Sequence, residues 1–257
     1  MNKQTGSVWF CLAFIMLLCL SCGDGSRVPQ LKLAVGANMQ FAMEDLAADF
    51  KQTTGISCDM VVSSSGKLTA QIMEGAPFHI LLSADMKYPE ELHKKGYTAA
   101  PPEVYAYGRL VLWTLSDRLE LSVGVLGSDR VRHVALANPE TAPYGRAAME
   151  VLKGSGLLGE VRDKLVFGES IAQTNQFIIS RAAEIGFTSR SVVEAPQMRE
   201  QGRWIDLDTT LYSPISQGIA VMNNPQPVQE DALAFREYLF SSRAREILKK
   251  YGYWVDE

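Results

Sequence analysis

Apolar residues recur along the chain in two alternating patterns, one typical of strands and one typical of helices. Residues 31–35 form a short alternating run, whereas Met39, Met43, Leu46 and Phe50 follow at helical spacing. The alternation predicts a strand at 31–35, a helix at 39–50, a strand at 56–62, a helix at 66–73 and a strand at 79–82. This order implies a parallel sheet with helices on both faces.

The rest of the chain repeats the same theme. We predict strands at 110–115, 134–137, 164–167, 185–188 and 217–222, and helices at 146–152, 172–183, 229–240 and 244–250. A chain of 257 residues is near the size at which one core divides into two lobes. Because no Gly/Ser-rich or Pro-rich linker separates the halves, we expect the chain to cross between lobes on strands that form a hinge.

The N-terminus has the features of an export signal. Lys3 precedes an apolar run at residues 8–20, which is shorter than the ~20 residues that a membrane-spanning helix needs. Cys22 follows in a pattern that resembles a bacterial lipoprotein signal, whose cysteine is lipidated. We therefore expect a signal peptide at 1–21, a tether at 22–29 and export to the periplasm or cell envelope, with a lipid at Cys22 as membrane anchor. Ordinary cleavage to a soluble periplasmic protein is the alternative.

Charge and cysteine content narrow the classes of function. The net charge of −4, from 25 basic and 29 acidic residues, argues against nucleic-acid binding driven by phosphate attraction. Cys11, Cys19 and Cys22 lie near the N-terminus, so Cys58 alone lies in the body of the chain. One thiol builds neither a disulfide framework nor a zinc-binding pair. Cys19 also departs from the lipoprotein pattern around Cys22, because such signals usually carry leucine at the third position before the lipidated cysteine.

Four predicted strand–turn–helix junctions are alike. Their turns contain Asn38, Ser65, residues 144–145 and residues 169–171. In an open α/β sheet such turns gather at the carboxyl ends of the strands, where ligands bind. Helix N-termini bind anions through free N–H groups, without a cationic side chain. Plain capping is the alternative for any one junction, by Asn38 or Ser65 for example, but four matching junctions favour a shared anion site.

Several segments together resemble the molybdate-binding proteins of bacterial ABC importers, which belong to the type II periplasmic binding proteins. Residues 63–85 carry the strongest block, with Ser-Ser-Gly-Lys, the helix end I-x-x-G-A-P and Ser-Ala-Asp in order. The other matching segments lie at 33–50, 136–152, 167–174, 184–192 and 212–221, and the chain closes on Tyr-Gly-Tyr at 251–253. The resemblance covers nearly the whole chain from residue 31 to residue 255.

The resemblance implies a two-lobed α/β fold, in which each lobe is a mostly parallel sheet flanked by helices and the ligand lies in the cleft between the lobes. Lobe 1 is expected at 30–108 plus 220–257, and lobe 2 at 109–219. The resemblance also implies a substrate-binding receptor rather than an enzyme. We expect a monomer without a cofactor that delivers molybdate or tungstate to an ABC permease and its ATPase.

The family's ligand contacts map onto five positions of this chain, namely Ala37, Asn38, Ser65, Tyr144 and Ile171. The resemblance implies that Asn38 and Ser65 donate from side chain and backbone, and that the other three donate backbone N–H groups. Molybdenum is then held through the oxygens of the anion, without direct bonds to the protein. One branch of the family has a ligating tyrosine where this chain has Ser189, so Ser189 is left out of the site.

A site made only of donors suits a fully deprotonated oxyanion, because the proton of a protonated anion needs an acceptor. The same fold can also receive another oxyanion, such as sulfate, or a small organic anion, and these alternatives stay open. A further alternative is a serine acyl-transferase, since Ser64 and Lys67 have its Ser-x-x-Lys spacing, but no Lys-Thr-Gly or Ser-Asp-Asn motif accompanies them. We expect Lys67 to point along its helix toward solvent.

Overall fold

The computed structural model describes residues 30–256 of the chain. The predicted signal peptide at 1–21, the tether at 22–29 and the lipidation site Cys22 lie outside the described residues. No helix within the described range is long and apolar enough to cross a membrane.

Residues 30–256 form ten strands and nine α-helices. The strands are β1 (Gln30–Gly36), β2 (Ser57–Ser63), β3 (Ile80–Ser83), β4 (Glu103–Gly108), β5 (Leu110–Thr114), β6 (Val134–Ala137), β7 (Leu165–Gly168), β8 (Ile185–Ser189), β9 (Arg203–Asp206) and β10 (Ile215–Val221). The helices are α1 (Gln40–Thr54), α2 (Ser65–Met73), α3 (Lys87–Lys94), α4 (Pro143–Gly154), α5 (Leu158–Val161), α6 (Ile171–Ile179), α7 (Arg190–Val193), α8 (Val228–Leu239) and α9 (Ser242–Lys250). A short 3-10 turn at Ala37–Met39 leads into α1.

The strands form two five-stranded sheets with the same internal arrangement. The first sheet has the order β2-β1-β3-β10-β4, and the second has the order β7-β6-β8-β5-β9. In each sheet the first three strands are parallel, and the fourth runs antiparallel to both of its neighbours. Helices α1 and α2 pack on the first sheet, and α4 and α6 pack on the second. The prediction of two lobes with mostly parallel, helix-flanked sheets is confirmed.

The chain crosses between the two sheets at the ends of strands. Arg109 separates β4 of the first sheet from β5 of the second. The chain returns at β10, which pairs with β4 from Ile215 onward, in register with Gly108. The boundary predicted between residues 219 and 220 therefore cuts through β10, a strand of the first sheet. We propose that lobe 2 ends before Ile215.

Within residues 30–256, the sequence does not predict five of the strands and helices that the structure contains, namely α3, α5, α7, β4 and β9. They are short or mix polar with apolar positions; β9, for example, is exposed at both ends and lies at a sheet edge. The helix predicted at 172–183 is too long, since Arg181 has a positive φ of 59°. Helix α4 starts at Pro143 rather than at residue 146, because the fixed φ of proline suits a first helical turn.

The C-terminal end of helix α1, opposite the 3-10 turn, packs against the helices at the C-terminus of the chain. Phe50 is fully buried and packs edge-on against Phe235, with 5.1 Å between the ring centroids. The neighbouring Asp49 accepts hydrogen bonds from Tyr238 and Arg243. The turn at Ala37–Met39, at the other end, contacts α6 and α7 of the second lobe. The packing of α1 thus sets the position of a turn that lies between the lobes.

Gly145 sets how closely α4 approaches the second sheet. A Cβ atom at this position would collide with the backbone carbonyl of Ala137, the last residue of β6. We expect Gly145→Ala to lower the free energy of unfolding by about 1–3 kcal/mol, because the helix must move away from the strand. Denaturant unfolding measures this loss.

The matched control is Gly159→Ala in α5, where an added Cβ meets no atom within 4 Å. Alanine is the better helix former there, so we expect unchanged or slightly raised stability. Equal behaviour of the two variants would contradict the close contact between Gly145 and β6.

Candidate functional site

A small cavity between the lobes brings together all five residues that the sequence analysis assigns to the site. The space inside it, counted together with the part open to solvent, is about 200 Å³. The lining residues are Ala37, Asn38, Ser64, Ser65, Ala84, Ala142, Pro143, Tyr144 and Ile171. The lining contains no acidic or basic side chain. Within the described residues, no cluster of three or more histidine, cysteine, aspartate or glutamate side chains suitable for a metal ion exists.

The cavity lies where four helical segments begin. These are the 3-10 turn at Ala37–Met39 and helices α2, α4 and α6, each of which follows the carboxyl end of a strand. None of the four starts is capped by a side chain. The alternative that Asn38 and Ser65 cap these helices is therefore wrong; Ser65 is the first residue of α2, and Ser64 occupies the N-cap position.

The uncapped starts leave backbone donors open toward the cavity. First-turn N–H groups have no partner inside their own helix. Among the backbone hydrogen bonds of residues 30–256, none outside the helices and strands starts at the N–H of Ser65, Tyr144 or Ile171. The positive end of each helix dipole adds to these donors. The cavity can therefore bind an anion without a cationic side chain.

Ser65 also offers its hydroxyl proton. Its side chain is 1% exposed, and its Oγ atom accepts a hydrogen bond of 3.0 Å from the backbone N–H of Ala84. Because Ala84 uses a lone pair of the oxygen, the hydroxyl proton stays available for another acceptor. The hydrogen bond from Ala84, which also belongs to the first lobe, thus fixes the position of the Ser65 hydroxyl in the cavity.

Asn38 uses its side chain differently from the expectation. Its Nδ2 atom donates to Gln217 Oε1 at 2.7 Å and to Tyr253 OH at 2.9 Å. Gln217 is itself oriented by donation to the backbone oxygens of Ile215 and Ala84, at 3.1 and 3.4 Å. Both amide protons of Asn38 are thus taken by protein oxygens, so its backbone N–H is the donor left for a ligand.

Hydrogen bonds join the two lobes beside the cavity. Ser191 Oγ of the second lobe donates to the backbone oxygen of Asn38 at 2.7 Å, and the N–H of Gly66 donates to the oxygen of Thr141 at 2.9 Å. Sequence analysis does not predict the roles of Ser191, Gln217 or Tyr253. The matching segments at 184–192, 212–221 and 251–253 contain these three residues, but the segments do not show what the side chains do.

Ion pairs cross the cleft at its rim. Lys67 of α2 pairs with Glu169 of the second lobe, with both side chains about half exposed at 50% and 49%. The expectation that Lys67 points along its helix toward solvent is therefore wrong in part, because its half-exposed side chain reaches across the cleft to Glu169. Asp85 of the first lobe pairs with Arg146 of α4. Burial raises the pKa of Asp85, although the Arg146 guanidinium opposes that shift.

The contacts of Ser64 and Lys67 do not support a serine acyl-transferase. The Ser64 hydroxyl has no hydrogen-bond partner among the described residues, and the Lys67 amine binds Glu169. A nucleophilic serine needs a base within hydrogen-bond reach. The arrangement supplies donors for binding an anion instead.

The two lobes and the donor-lined cleft define a solute-binding fold, and comparison with known proteins places the chain in a family of that class. The family model for bacterial extracellular solute-binding proteins matches residues 31–254, and the chain belongs to this family. It is 36% identical to the molybdate-binding protein of Azotobacter vinelandii over 236 residues, which cover 91% of this chain and 92% of that protein.

Two further comparisons agree with this resemblance. The chain is 35% identical to the molybdate-binding protein of Rhodobacter capsulatus over 244 residues, which cover 94% of this chain and 93% of that protein. The solved structure of the Azotobacter vinelandii periplasmic molybdate-binding protein matches this structure with a TM-score of 0.84 at 31% sequence identity. The match covers 88% of this chain and 100% of that chain. The resemblance to the molybdate-binding proteins is confirmed.

Substitutions of Lys67 test how much its ion pair with Glu169 contributes to oxyanion binding. An exposed pair is worth about 0.2–1 kcal/mol, so Lys67→Ala should weaken oxyanion binding less than about five-fold. Lys67→Glu should weaken binding more, since it places two carboxylates together at the rim. Calorimetric titration with molybdate measures both effects.

The double variant Lys67→Glu with Glu169→Lys restores the pair with exchanged charges and should recover most of the affinity. The effects should shrink at high ionic strength because the pair is half exposed. A loss of more than about a hundred-fold in Lys67→Ala would instead mean that Lys67 contacts the anion directly.

Proposed function

We propose that this protein is the substrate-binding receptor of an ABC importer and that it captures molybdate or tungstate in the cleft between its lobes. The anion receives backbone N–H donation from Ala37, Asn38, Ser65, Tyr144 and Ile171, together with the hydroxyl proton of Ser65. The closed receptor then delivers the anion to a membrane permease that is driven by an ATPase. The names of the relatives in Azotobacter vinelandii and Rhodobacter capsulatus support molybdate as the ligand.

One observation carries the proposal: four uncapped helical starts converge on a cavity lined by no charged side chain. A lining that offers only donors suits a tetrahedral anion whose oxygens are all acceptors. A singly protonated anion such as hydrogen phosphate would place its own O–H donor against these donors, where it finds no acceptor. A buried donor without an acceptor costs about 1–3 kcal/mol. Molybdate and tungstate are fully deprotonated at neutral pH and leave the donors satisfied.

The binding role needs no chemical step by the protein. The proposed contacts are to the oxygens of the anion, so the molybdenum atom makes no direct bond to the chain, and no cofactor takes part. We propose further that the receptor works as a monomer in the periplasm or cell envelope. A lipid on Cys22, which lies outside the described residues, holds it at the membrane near its permease.

Thermal denaturation with added anions tests the proposal. Molybdate or tungstate at about 100 times its dissociation constant adds about 2.7 kcal/mol to the free energy of unfolding. For a chain of this size we expect the melting temperature to rise by about 5–10 °C. Phosphate at the same concentration should leave it nearly unchanged.

Stabilisation by sulfate that equals or exceeds the effect of molybdate would make the protein a sulfate receptor with the same fold. No stabilisation by molybdate or tungstate at high micromolar concentration would overturn the proposal. Calorimetry on the unmodified protein separates these outcomes, because it gives the affinity for each anion directly.

Ser65→Ala tests the contribution of the hydroxyl to the site. The variant removes one charge-assisted donor, worth about 1.5–3 kcal/mol, so molybdate affinity should fall at least ten-fold. It also leaves the N–H of Ala84 without its partner, so the unliganded protein should lose some stability. Calorimetry and denaturant unfolding measure the two effects.

Ser180→Ala is the control, because Ser180 is exposed at the end of α6. We expect its molybdate affinity to equal that of the unmodified protein. Retained affinity in Ser65→Ala would remove Ser65 from the set of ligand contacts.

A further inference from the structure

Ser64 carries a buried hydroxyl that the protein leaves without a partner. The residue is 3% exposed and occupies the N-cap position of α2. A serine at this position usually accepts a hydrogen bond from an N–H of the first turn. The Ser64 side chain makes no such bond, and its Oγ atom has no hydrogen-bond partner among the described residues.

The place of Ser64 distinguishes it from other unpartnered oxygens. Within the described residues, the hydroxyls of Tyr105 and Tyr144 are also buried without a partner. The Tyr144 hydroxyl lies against Gly108 at the hinge, behind the site. Ser64 instead lines the cavity next to Ser65, at the uncapped start of α2.

An unsatisfied buried hydroxyl is unfavourable unless a ligand completes its hydrogen bonding. Ser64 lines the cavity, and no protein acceptor takes its hydroxyl proton. Its remaining lining supplies donors for an anion, so the oxygens of that anion are the acceptors that reach this part of the cleft.

We propose that the Ser64 hydroxyl donates a hydrogen bond to an oxygen of the bound oxyanion, as a ligand contact beyond the five residues mapped from the sequence. This inference rests on the proposed function, because it assigns Ser64 to the same anion site. Helix α2 then contributes the hydroxyls of two successive serines, at its N-cap and at its first residue. The hydroxyl at the N-cap position then donates to the ligand instead of accepting a hydrogen bond from an N–H of its own helix.

The test is Ser64→Ala, titrated with molybdate in a calorimeter alongside the unmodified protein. A donor to a charged acceptor is lost, so the affinity should fall by roughly ten-fold to a hundred-fold. The unliganded variant should melt at the same temperature as the unmodified protein or slightly higher, because the removed hydroxyl had no partner. A purely structural cap would show the opposite pattern, with lost stability and retained affinity.

Ser170→Ala is the matched control. Ser170 occupies the N-cap position of α6, also without a side-chain cap bond, but it does not line the cavity. Its affinity for molybdate should stay within about two-fold of the unmodified value, since no ligand contact is lost. Ser64→Gly, which removes the same hydroxyl at a position that tolerates glycine, should repeat the loss seen with alanine.

Unchanged affinity in Ser64→Ala, or an equal loss in Ser170→Ala, overturns this inference while the proposed function stands. If the unmodified protein binds sulfate better than molybdate, the same variants are compared with sulfate. A protein that binds none of these oxyanions overturns both the inference and the proposed function.

Discussion

The structure depends on the requirement that the first N–H groups of a helix find acceptors. Four helical starts meet at one cavity, and no side chain caps any of them. A buried set of open donors is costly for the free protein, and a tetrahedral anion satisfies several of them at once. In the proposed site, dipoles rather than cations would bind the charge, which would explain how an acidic chain with a net charge of −4 can hold an anion.

The proposed donors come from both lobes, so a bound anion would link the lobes. Ala37, Asn38 and Ser65 belong to the first lobe, and Tyr144 and Ile171 belong to the second. Direct contacts between the lobes add to this link, notably the hydrogen bond from Ser191 to the backbone oxygen of Asn38 and the rim pair of Lys67 with Glu169. Of the two, the buried hydrogen bond is shielded from water, whereas the half-exposed ion pair is screened by salt. Under the proposed function, ligand binding and closure of the cleft would therefore be energetically coupled.

The sequence predicts the fold well where a local pattern decides the structure. Alternating strand and helix periods place both sheets, and matching turns bring the five mapped residues to a single cavity. The pattern fails for β9, which is short and lies at an edge, and for the return of the chain at Ile215, which depends on pairing with a distant strand. Such pairing leaves no trace in local periodicity.

The finer design of the site also depends on distant contacts. The orientation of Asn38 is set by Gln217 and Tyr253, which lie 179 and 215 residues away in the sequence. The sequence motif marks Asn38 as a site residue but does not show that its amide protons serve the protein. Likewise, the motif around Ser65 does not show which of its neighbouring hydroxyls remains without a partner; that requires the packed structure around Ser64.

Amide NMR spectra of the protein, recorded during titration with molybdate, test the central claim most directly. If backbone donors hold the anion, the N–H signals of Ser65, Tyr144 and Ile171 shift together to the downfield side at one saturating ligand per protein. Protection of these amides from hydrogen exchange should rise over the same range. Saturable molybdate binding that leaves those three amide signals unmoved would contradict the account, because the anion would then be held elsewhere or by side chains alone.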